Sequence, residues 1–308
     1  LIRDVPEDTV KALKEIAKDT SPGGMADTFV TTALNYAFQH CYDGVELDWE
    51  WPSSKAALSD FITRMRAKLD EWQTATRPTA CDNTFNGQRG VLALAVGQLP
   101  WDDFYDVDVF NASVDQALIM AYGMSYYNHY TYDGECHGNG HYTSYYSPID
   151  PPSVPNPVEC EDTIQSYNTT GSKQWVAAGF KPEIMGMLFP FEALMIDDTT
   201  GIGQPEGTGH WSSYVDMLEA ISQGATVSWD TTGQVPYFTF ESKFYTYDDE
   251  TSIRAKVAWA AATAQSNQLG GIGVWDIWRG WLTDEQKAQY GKAVNDPLLQ
   301  ALKSAMGL

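Results

Sequence analysis

The stretch YDGVELDWEWP, residues 42–52, alternates acidic and apolar side chains along most of its length. The acids at alternate positions are Glu46, Asp48 and Glu50. The residues before and between them are apolar: Val45, Leu47 and Trp49. Because side chains two apart in a β-strand share a face, the pattern predicts a strand with one acidic and one apolar face.

Helices and apolar strands alternate on both sides of this stretch. Helical spacing covers residues 25–41 before it and residues 54–73 after it. Further apolar strands are predicted over residues 90–98, 116–123, 182–191 and 270–278. Strands that alternate with helices favour a parallel sheet with helical crossovers. With 308 residues, the sequence therefore predicts an α/β fold of the TIM (β/α)8-barrel type.

A barrel would place the acidic face of the stretch in its interior and the apolar face against the helices. Glu50 then lies at the carboxyl end of the strand, where barrel enzymes carry out their chemistry. Crowded acids raise one another's pKa, which keeps a glutamic acid protonated and able to donate a proton. A solvated acidic edge strand is the alternative, but the flanking amphipathic helices argue against it. The pattern favours an active site.

The composition narrows the class of ligand. The net charge of -22 argues against nucleic acid and against anionic membrane surfaces, whose phosphates it would repel. A neutral sugar carries no such penalty, and eleven Trp and seventeen Tyr offer aromatic faces for sugar rings, although core packing explains many of them equally well. No run of eighteen apolar residues occurs, so we expect no membrane span.

The cysteines and sequons favour a secreted glycoprotein. The four cysteines, which allow three pairings, are Cys41, Cys81, Cys136 and Cys160. The last two flank a loop rich in Gly, Tyr and Pro that a disulfide would restrain. Sequons occur at Asn111 and Asn168. His137 and His141 lie in a Gly-rich loop, where their spacing has no helical meaning, so we expect no metal site and no cofactor.

The segment DGVELDWEWP resembles the D-G-x-D-x-D-x-E motif of family 18 glycoside hydrolases, the chitinase family. Other stretches are similar to later strands of that family, from about residue 25 to the end of the chain. LALAVG and the strand ending in Met120-x-Tyr122 resemble the fifth and sixth strands. KPEIMGMLFPF resembles the seventh, and LGGIGVWDIW resembles the eighth, with Trp275 at the position of the tryptophan beneath the cleaved sugar.

The resemblance implies retaining, substrate-assisted hydrolysis of β-1,4-linked N-acetylglucosamine polymers, with a carbohydrate polymer or oligosaccharide as the partner. Glu50 would protonate the glycosidic oxygen and later act as a base. Asp48 would orient the N-acetyl group that attacks the anomeric carbon, and Glu46 would share a proton or hydrogen bond with Asp48. Tyr122 would hydrogen-bond the N-acetyl oxygen.

The resemblance also implies residues that bind substrate, and it implies domain bounds. Trp275, Met120 and Asp43 are assigned to substrate binding, and Asp43 is also expected to have a structural role at the start of its strand. Residues 1–308 are interpreted as a catalytic barrel domain. Residues 195–250 are interpreted within it as a reduced α+β insertion before the last strand.

Three departures from the family pattern support a second hypothesis. Glu46 stands where the family has Asp, Gly123 follows Tyr122 where the family has Asp or Asn, and Pro190–Ala193 reads PFEA instead of Tyr-Gly-Arg. The alternative is therefore a weakly active or inactive chitinase-like lectin, or a structural extracellular glycoprotein. The retained Glu50 favours the enzyme.

The family's first three strands have no visible counterpart, and the residues before the TSPGG segment are charged and helical in spacing. Five strands cannot close a barrel of this type. We therefore expect that an N-terminal part is missing or cleaved, or that another segment or a partner chain supplies it.

Overall fold

The computed structural model describes most of the chain in twelve ranges: residues 2–3, 13–50, 52–81, 87–101, 103–120, 122, 130–132, 135–137, 149, 168–199, 209–262 and 269–308. Two compact units divide the chain. The first comprises residues 1–119, 175–186 and 269–271. The second comprises residues 120–174, 187–268 and 272–308.

The strands within the described residues fall into two main sheets and a hairpin. In chain order they are β1 (Ile2–Arg3), β2 (Gly44–Asp48), β3 (Val91–Val96), β4 (Gln116–Met120), β5 (Tyr130–Tyr132), β6 (Glu135–His137), β7 (Met185–Pro190), β8 (Glu192–Asp197), β9 (Gly209–Ser213), β10 (Ser228–Asp230), β11 (Val235–Phe240), β12 (Lys243–Thr246) and β13 (Gly271–Trp275). The first sheet has the order β1-β2-β3-β4-β7-β13, and the second has the order β10-β11-β12-β8-β9. Strands β5 and β6 pair with each other.

The helices of the described part alternate with the strands of the first sheet and extend beyond it. They are α1 (Met25–Gln39), α2 (Lys55–Asp70), α3 (Val107–Ser113), α4 (Asn168–Ala177), α5 (Tyr214–Ser222), α6 (Glu250–Ala261), α7 (Asp284–Gln289) and α8 (Pro297–Met306). None of the helices in the described part of the chain is both long and apolar enough to cross a membrane.

The pairing at the start of the first sheet is parallel, as predicted. Strand β2 pairs with β3 from Gly44 beside Val91 to Asp48 beside Ala95. Strand β3 pairs with β4 in the same sense. Each parallel step is bridged by a helix, α2 or α3, which is the crossover geometry that the alternation of strand and helix patterns implied.

One strand was missed. The sequence analysis did not identify Ile2–Arg3 as a strand, and this segment pairs in parallel with Leu47 and Asp48. The first sheet therefore has six strands in the described residues, not five. A two-residue strand is too short to produce a periodic pattern, so the sequence gives no signal for it.

The apolar face of β2 packs beneath a helix. Leu47 and Trp49 are almost fully buried, and the Trp49 ring lies 5.3 Å from the ring of Phe61 on α2. Helix α2 begins where predicted, since the Ser54 side chain accepts a hydrogen bond from the backbone of Ala57 at 3.2 Å. The alternation in the sequence therefore divides β2 into a helix-facing side and an acidic side.

A disulfide between Cys41 and Cys81 ties the start of β2 to the segment after α2. Beside it, Arg77 donates to the Asp43 carboxylate at 3.1 Å and to the Tyr42 carbonyl. The suggested link between Cys136 and Cys160 lies outside the described side chains.

The second sheet is antiparallel and precedes β13 in the chain, which confirms the predicted insertion. Its buried core consists of Leu194, Ile196, Val235 and Phe244. Helix α5 follows β9 and begins with a reciprocal cap between Ser213 and Asp216. The strands of this sheet run from Glu192 to Thr246, and the exact insertion bounds of 195–250 stay a prediction.

Candidate active site

Strand β2 carries its acids beside small neighbours. Glu46 is aligned with Ala93 of β3 and Asp48 with Ala95. Glu46 is partly buried, and Asp48 is only 5% exposed. Aligned residues of neighbouring strands share a face, so alanines occupy the positions next to both carboxyl groups. The neighbouring strand therefore presents only methyl side chains beside the two acids.

Two glycines make space for side chains of β4 further along the same face. Gln116 and Leu118 of β4 continue the rows that contain the two alanines. A Cβ atom on Gly271 would lie 2.2 Å from the amide nitrogen of Gln116, and one on Gly186 would lie 2.8 Å from Leu118. A side chain at either glycine would therefore displace the neighbour from β4.

The buried acids influence each other's ionisation. Burial raises the pKa of Glu46, and the negative charge of Asp48 raises it further. Two carboxylates on adjacent positions of one face repel each other when both are ionised. Both effects favour the neutral form of Glu46, and a neutral carboxyl group can donate a hydrogen bond.

Glu50 is partly buried and lies two residues beyond the last paired residue of β2. The corresponding position beyond β3 is Gly97. The backbone N–H of Gly97 donates to the Tyr105 hydroxyl at 2.9 Å. Burial raises the pKa of Tyr105, and the charge of Glu50 adds to that rise. The strand register therefore aligns Glu50 with Gly97, whose N–H binds the Tyr105 hydroxyl, at the carboxyl ends of β2 and β3.

Tyr105 is a neighbour of Glu50 that sequence reasoning missed. No motif in the sequence singled it out. The only signal was a tyrosine close after the end of a strand that neighbours the acid-bearing one. That signal needs the strand register before it can be used.

The aromatic residues around Tyr105 fix the loop that follows β3. The Tyr105 ring lies 4.8 Å from Trp175 of α4 and 5.7 Å from Phe110 of α3. The indole N–H of the fully buried Trp175 donates to the carbonyl of Gln98 at 3.2 Å. Gly97 is therefore bound by Tyr105, which precedes α3, and Gln98 is bound by Trp175 of α4.

The other predicted site residues belong to the second unit. Met120 is the buried last residue of β4, and Tyr122 packs against the apolar core of the antiparallel sheet. Trp275 is the last residue of β13, and its carbonyl accepts a hydrogen bond from the N–H of Phe191 at 2.7 Å. The peptide bond from Trp275 to Asp276 is cis. Gly123 lies outside the described residues.

Asp43 lies at the opposite end of β2 from Glu50. Its side chain is mostly exposed, and it forms an ion pair with Arg77. Its structural role at the start of the strand and its contact with substrate both stay predictions.

No group of three or more His, Cys, Asp or Glu side chains in the described residues is arranged to hold a metal ion. The side chains of His137 and His141 lie outside that part of the chain.

A family model described as Glycosyl hydrolases family 18 matches residues 12–279. The chain belongs to glycosyl hydrolase family 18. The match includes every strand from β2 to β13, and so all the residues assigned to the site. The resemblance predicted from the DGVELDWEWP segment is confirmed.

Curated relatives in family 18 are similar to this chain at low identity. A probable endochitinase of Caenorhabditis elegans is 23% identical over 257 residues, covering 81% of this chain and 39% of that protein. Chitinase 1 of Aphanocladium album is 25% identical over 262 residues, covering 81% of this chain and 55% of that protein. The chain spans about half the length of the curated relatives it matches.

Solved structures of family 18 proteins share the fold. An immunomodulatory active chitinase from Trichuris suis superposes with a TM-score of 0.73 at 21% identity, covering 94% of this chain and 76% of that one. A Cycas revoluta chitinase mutant, in complex with (GlcNAc)4, superposes with a TM-score of 0.71 at 19% identity, covering 98% and 78%. The predicted TIM-barrel class is confirmed.

Proposed function

We propose that this chain hydrolyses β-1,4-linked N-acetylglucosamine polymers, chitin or its oligosaccharides, with retention of configuration. The observation that carries the proposal is the acidic face of β2. It combines a buried Asp48, a Glu46 whose pKa is raised, and Glu50 at the carboxyl end of the strand. Membership of family 18 supports the same chemistry, since that family departs from the two-carboxylate scheme of most retaining glycosidases.

Glu50 is the proposed general acid and base. Its carboxyl proton passes to the glycosidic oxygen as the bond from that oxygen to the anomeric carbon breaks. The carbonyl oxygen of the substrate's own N-acetyl group bonds to the anomeric carbon and forms an oxazolinium ion. Water then gives a proton to the Glu50 carboxylate and attacks the same carbon, which restores the N-acetyl group and retains the configuration.

Asp48 and Glu46 are proposed to support the attacking N-acetyl group. An ionised Asp48 accepts from the amide N–H and stabilises the positive charge of the oxazolinium ion. A protonated Glu46 donates to Asp48 and keeps it oriented. The raised pKa of Glu46 supports this division, because it favours the neutral form that can donate.

Tyr122, Met120 and Trp275 are the proposed binding residues from the second unit. Each lies at or just past the carboxyl end of its strand, where barrel enzymes hold their substrates. We propose that the Tyr122 hydroxyl donates to the N-acetyl oxygen, that Met120 lines the sugar site, and that Trp275 stacks on the sugar ring.

We further propose that the protein is secreted, since the Cys41–Cys81 disulfide suits an oxidising compartment. Glycosylation at Asn111 is not supported by its contacts. The Asn111 amide nitrogen donates to the Gly179 carbonyl at 2.9 Å, and its amide oxygen accepts from the N–H of Lys181. Asn168 remains the better candidate. Completion of the barrel by a partner chain stays a prediction.

The deciding experiment measures hydrolysis of a fluorogenic chitobioside by the wild type and by Glu50→Gln. We expect activity to fall by about 10²–10⁴-fold, the usual contribution of a general acid. The matched control is Glu285→Gln, an exposed glutamate on α7. Equal rates for the wild type and Glu50→Gln would remove the catalytic assignment.

A chitinase-like sugar-binding protein is the second candidate, favoured by Glu46 in place of the family's aspartate. The longer side chain changes the geometry of the hydrogen bond to Asp48, and small displacements of a catalytic group cost rate. Binding of chito-oligosaccharides by a wild type that shows no turnover would support this candidate over the enzyme.

A further inference from the structure

A cavity lies beside the start of β2, at the opposite end of that strand from the proposed general acid. Its volume is about 500 Å³, which is within the range of small-molecule sites. One face of α1 and the residues around the start of β2 line it: Phe29, Thr32, Tyr36, Tyr42, Gly44 and Val45, with two alanines of α1. All of these residues belong to the first unit, and the mechanism above uses none of them.

Two tyrosines give the cavity exposed aromatic walls. Tyr36 is 62% exposed and Tyr42 is 58% exposed. The side-chain hydroxyl groups of Tyr36, Tyr42 and Thr32 form no hydrogen bond with any other described residue. A ligand in the cavity can therefore contact aromatic faces and pair with hydroxyl groups without breaking a hydrogen bond inside the described part of the protein.

Both tyrosines are held in place before any ligand binds. The Tyr36 ring lies 4.1 Å from the ring of His40 on the same side of α1. The Tyr42 carbonyl accepts a hydrogen bond from Arg77, and the residue before Tyr42 belongs to the Cys41–Cys81 disulfide. A binding surface that is fixed in advance loses little conformational entropy when the ligand arrives.

The chemistry of the lining argues against most classes of ligand. None of the described residues that line the cavity is charged, although the chain as a whole has a net charge of -22. An anion would have no cationic partner there, and a cation would have no carboxylate. A wholly apolar molecule would cover the hydroxyl groups and leave them without partners. The cavity therefore fits a neutral ligand with apolar faces and polar edges, which is the chemistry of a sugar ring.

We propose that this cavity is a second carbohydrate site, which binds an N-acetylglucosamine unit of the polymer away from the catalytic face. The identity of the sugar rests on the proposed function. Six steps of extended chain lead from Gly44 to Glu50, a distance of about 20 Å. A polymer bound at the cavity therefore leaves the catalytic position open, and the site anchors the protein to its substrate between cleavage events.

The test places 3-fluorotyrosine at position 42 of the Glu50→Gln protein and follows it by ¹⁹F NMR. Titration with the trisaccharide of N-acetylglucosamine should shift this signal to saturation. Tyr36→Leu removes the second aromatic face and should weaken the binding roughly tenfold. The readout requires no turnover, so it separates failure of the inference from failure of the proposed function.

Three further variants locate the bound sugar. Trp275→Ala removes a residue of the proposed catalytic site and should leave the titration at position 42 unchanged. Ala33→Trp fills the cavity from α1 while both tyrosines remain, and it should abolish the binding. Tyr290→Leu, which changes a partly exposed tyrosine of the second unit, is the control and should leave the affinity unchanged.

Adsorption to insoluble chitin gives a second readout. Tyr36→Leu combined with Tyr42→Leu should weaken adsorption about tenfold, and Tyr290→Leu should not change it. Loss of an aromatic ring and filling of the cavity remove the site by different routes, so a folding defect in one variant leaves the other decisive.

Three results would each overturn the proposal. The first is a signal at position 42 that does not shift up to the solubility limit of the trisaccharide. The second is a shift that disappears in Trp275→Ala, because it would then originate at the catalytic site. The third is a signal that changes with protein concentration in the absence of sugar, because a second copy of the chain would then cover the cavity.

Discussion

Two regions of the molecule bury ionisable groups in opposite ways. On β2, Glu46 and Asp48 are like charges on one face, and burial together with mutual repulsion raises the pKa of Glu46. In the second unit, Lys256 of α6 is completely buried and forms an ion pair with Asp248, which is nearly as buried. Ser252 also donates to the Asp248 carboxylate, at 2.6 Å.

The contrast separates a group kept for chemistry from one kept for structure. Burial lowers the pKa of Lys256, and the neighbouring charge of Asp248 opposes that change. The two acids on β2 cannot compensate each other in this way, because their charges have the same sign. An unfavourable arrangement of buried acids is typical of a functional site.

The largest expected effect breaks the structural pair. Lys256→Met leaves the Asp248 carboxylate buried without its counter-charge, so we expect a loss of about 3–5 kcal/mol in the free energy of unfolding. Urea denaturation followed by tryptophan fluorescence measures the loss.

Two companion variants test this interpretation. In Lys256→Met combined with Asp248→Leu, both charges are absent and most of the stability should return. The exposed Lys303→Met is the control. If Lys256→Met alone is as stable as the control, the pair does not stabilise the fold.

A smaller change in stability, in the opposite direction, is expected for a substitution on β2. The folded-state pKa of Glu46 is raised, so its stabilising contribution is fully present below the ordinary value of 4.5 and is lost as the pH rises through the folded pKa. Glu46→Gln removes this titration. The wild type should therefore lose stability relative to Glu46→Gln between pH 4.5 and neutrality.

Denaturation midpoints in urea at a series of pH values give this difference. Activity should fall in Glu46→Gln even where stability rises, because the amide cannot share a proton with Asp48 as a carboxyl can. A difference between the two proteins that stays constant with pH would contradict the raised pKa.

The smallest effect is expected at an exposed carboxylate. Asp284 accepts from Lys287 at 3.0 Å on α7 and is almost wholly exposed. Asp284→Asn should leave the denaturation midpoint unchanged within error, because solvent screens such a pair. A change as large as that of Lys256→Met would mean that burial is not what distinguishes the two regions.

Periodicity in the sequence predicted the helices and strands in which apolar residues recur at a regular spacing. The alternation through Leu47 and Trp49 predicted which face of β2 meets α2, and the helical spacing from residue 54 predicted where α2 begins. Strand β1 has only two residues, too few to show a periodic pattern. The Cys41–Cys81 pairing depends on how the chain returns to the start of β2, and four cysteines leave three choices open.

The acids of the candidate site could be predicted from the sequence because all three lie on one strand. Glu46, Asp48 and Glu50 are consecutive members of one alternating pattern. Tyr105 is separated from Glu50 by 55 residues of sequence, and only the pairing of β2 with β3 brings Gly97 into line with the acid. The engagement of Asn111 with Gly179 and Lys181 is a contact of the same long-range kind, so its sequon alone was a poor guide.

The Cys41–Cys81 disulfide affects both the stability of the protein and its response to proteolysis. It makes β2 and α2 part of a closed covalent ring of chain, with a sequence separation of 40 between the two cysteines. Closing a ring of this size removes conformational freedom from the unfolded chain worth about 4 kcal/mol in the chain-entropy model. A protease that cuts once inside the ring leaves both fragments joined, so the segment that carries Glu50 stays attached to the rest of the protein.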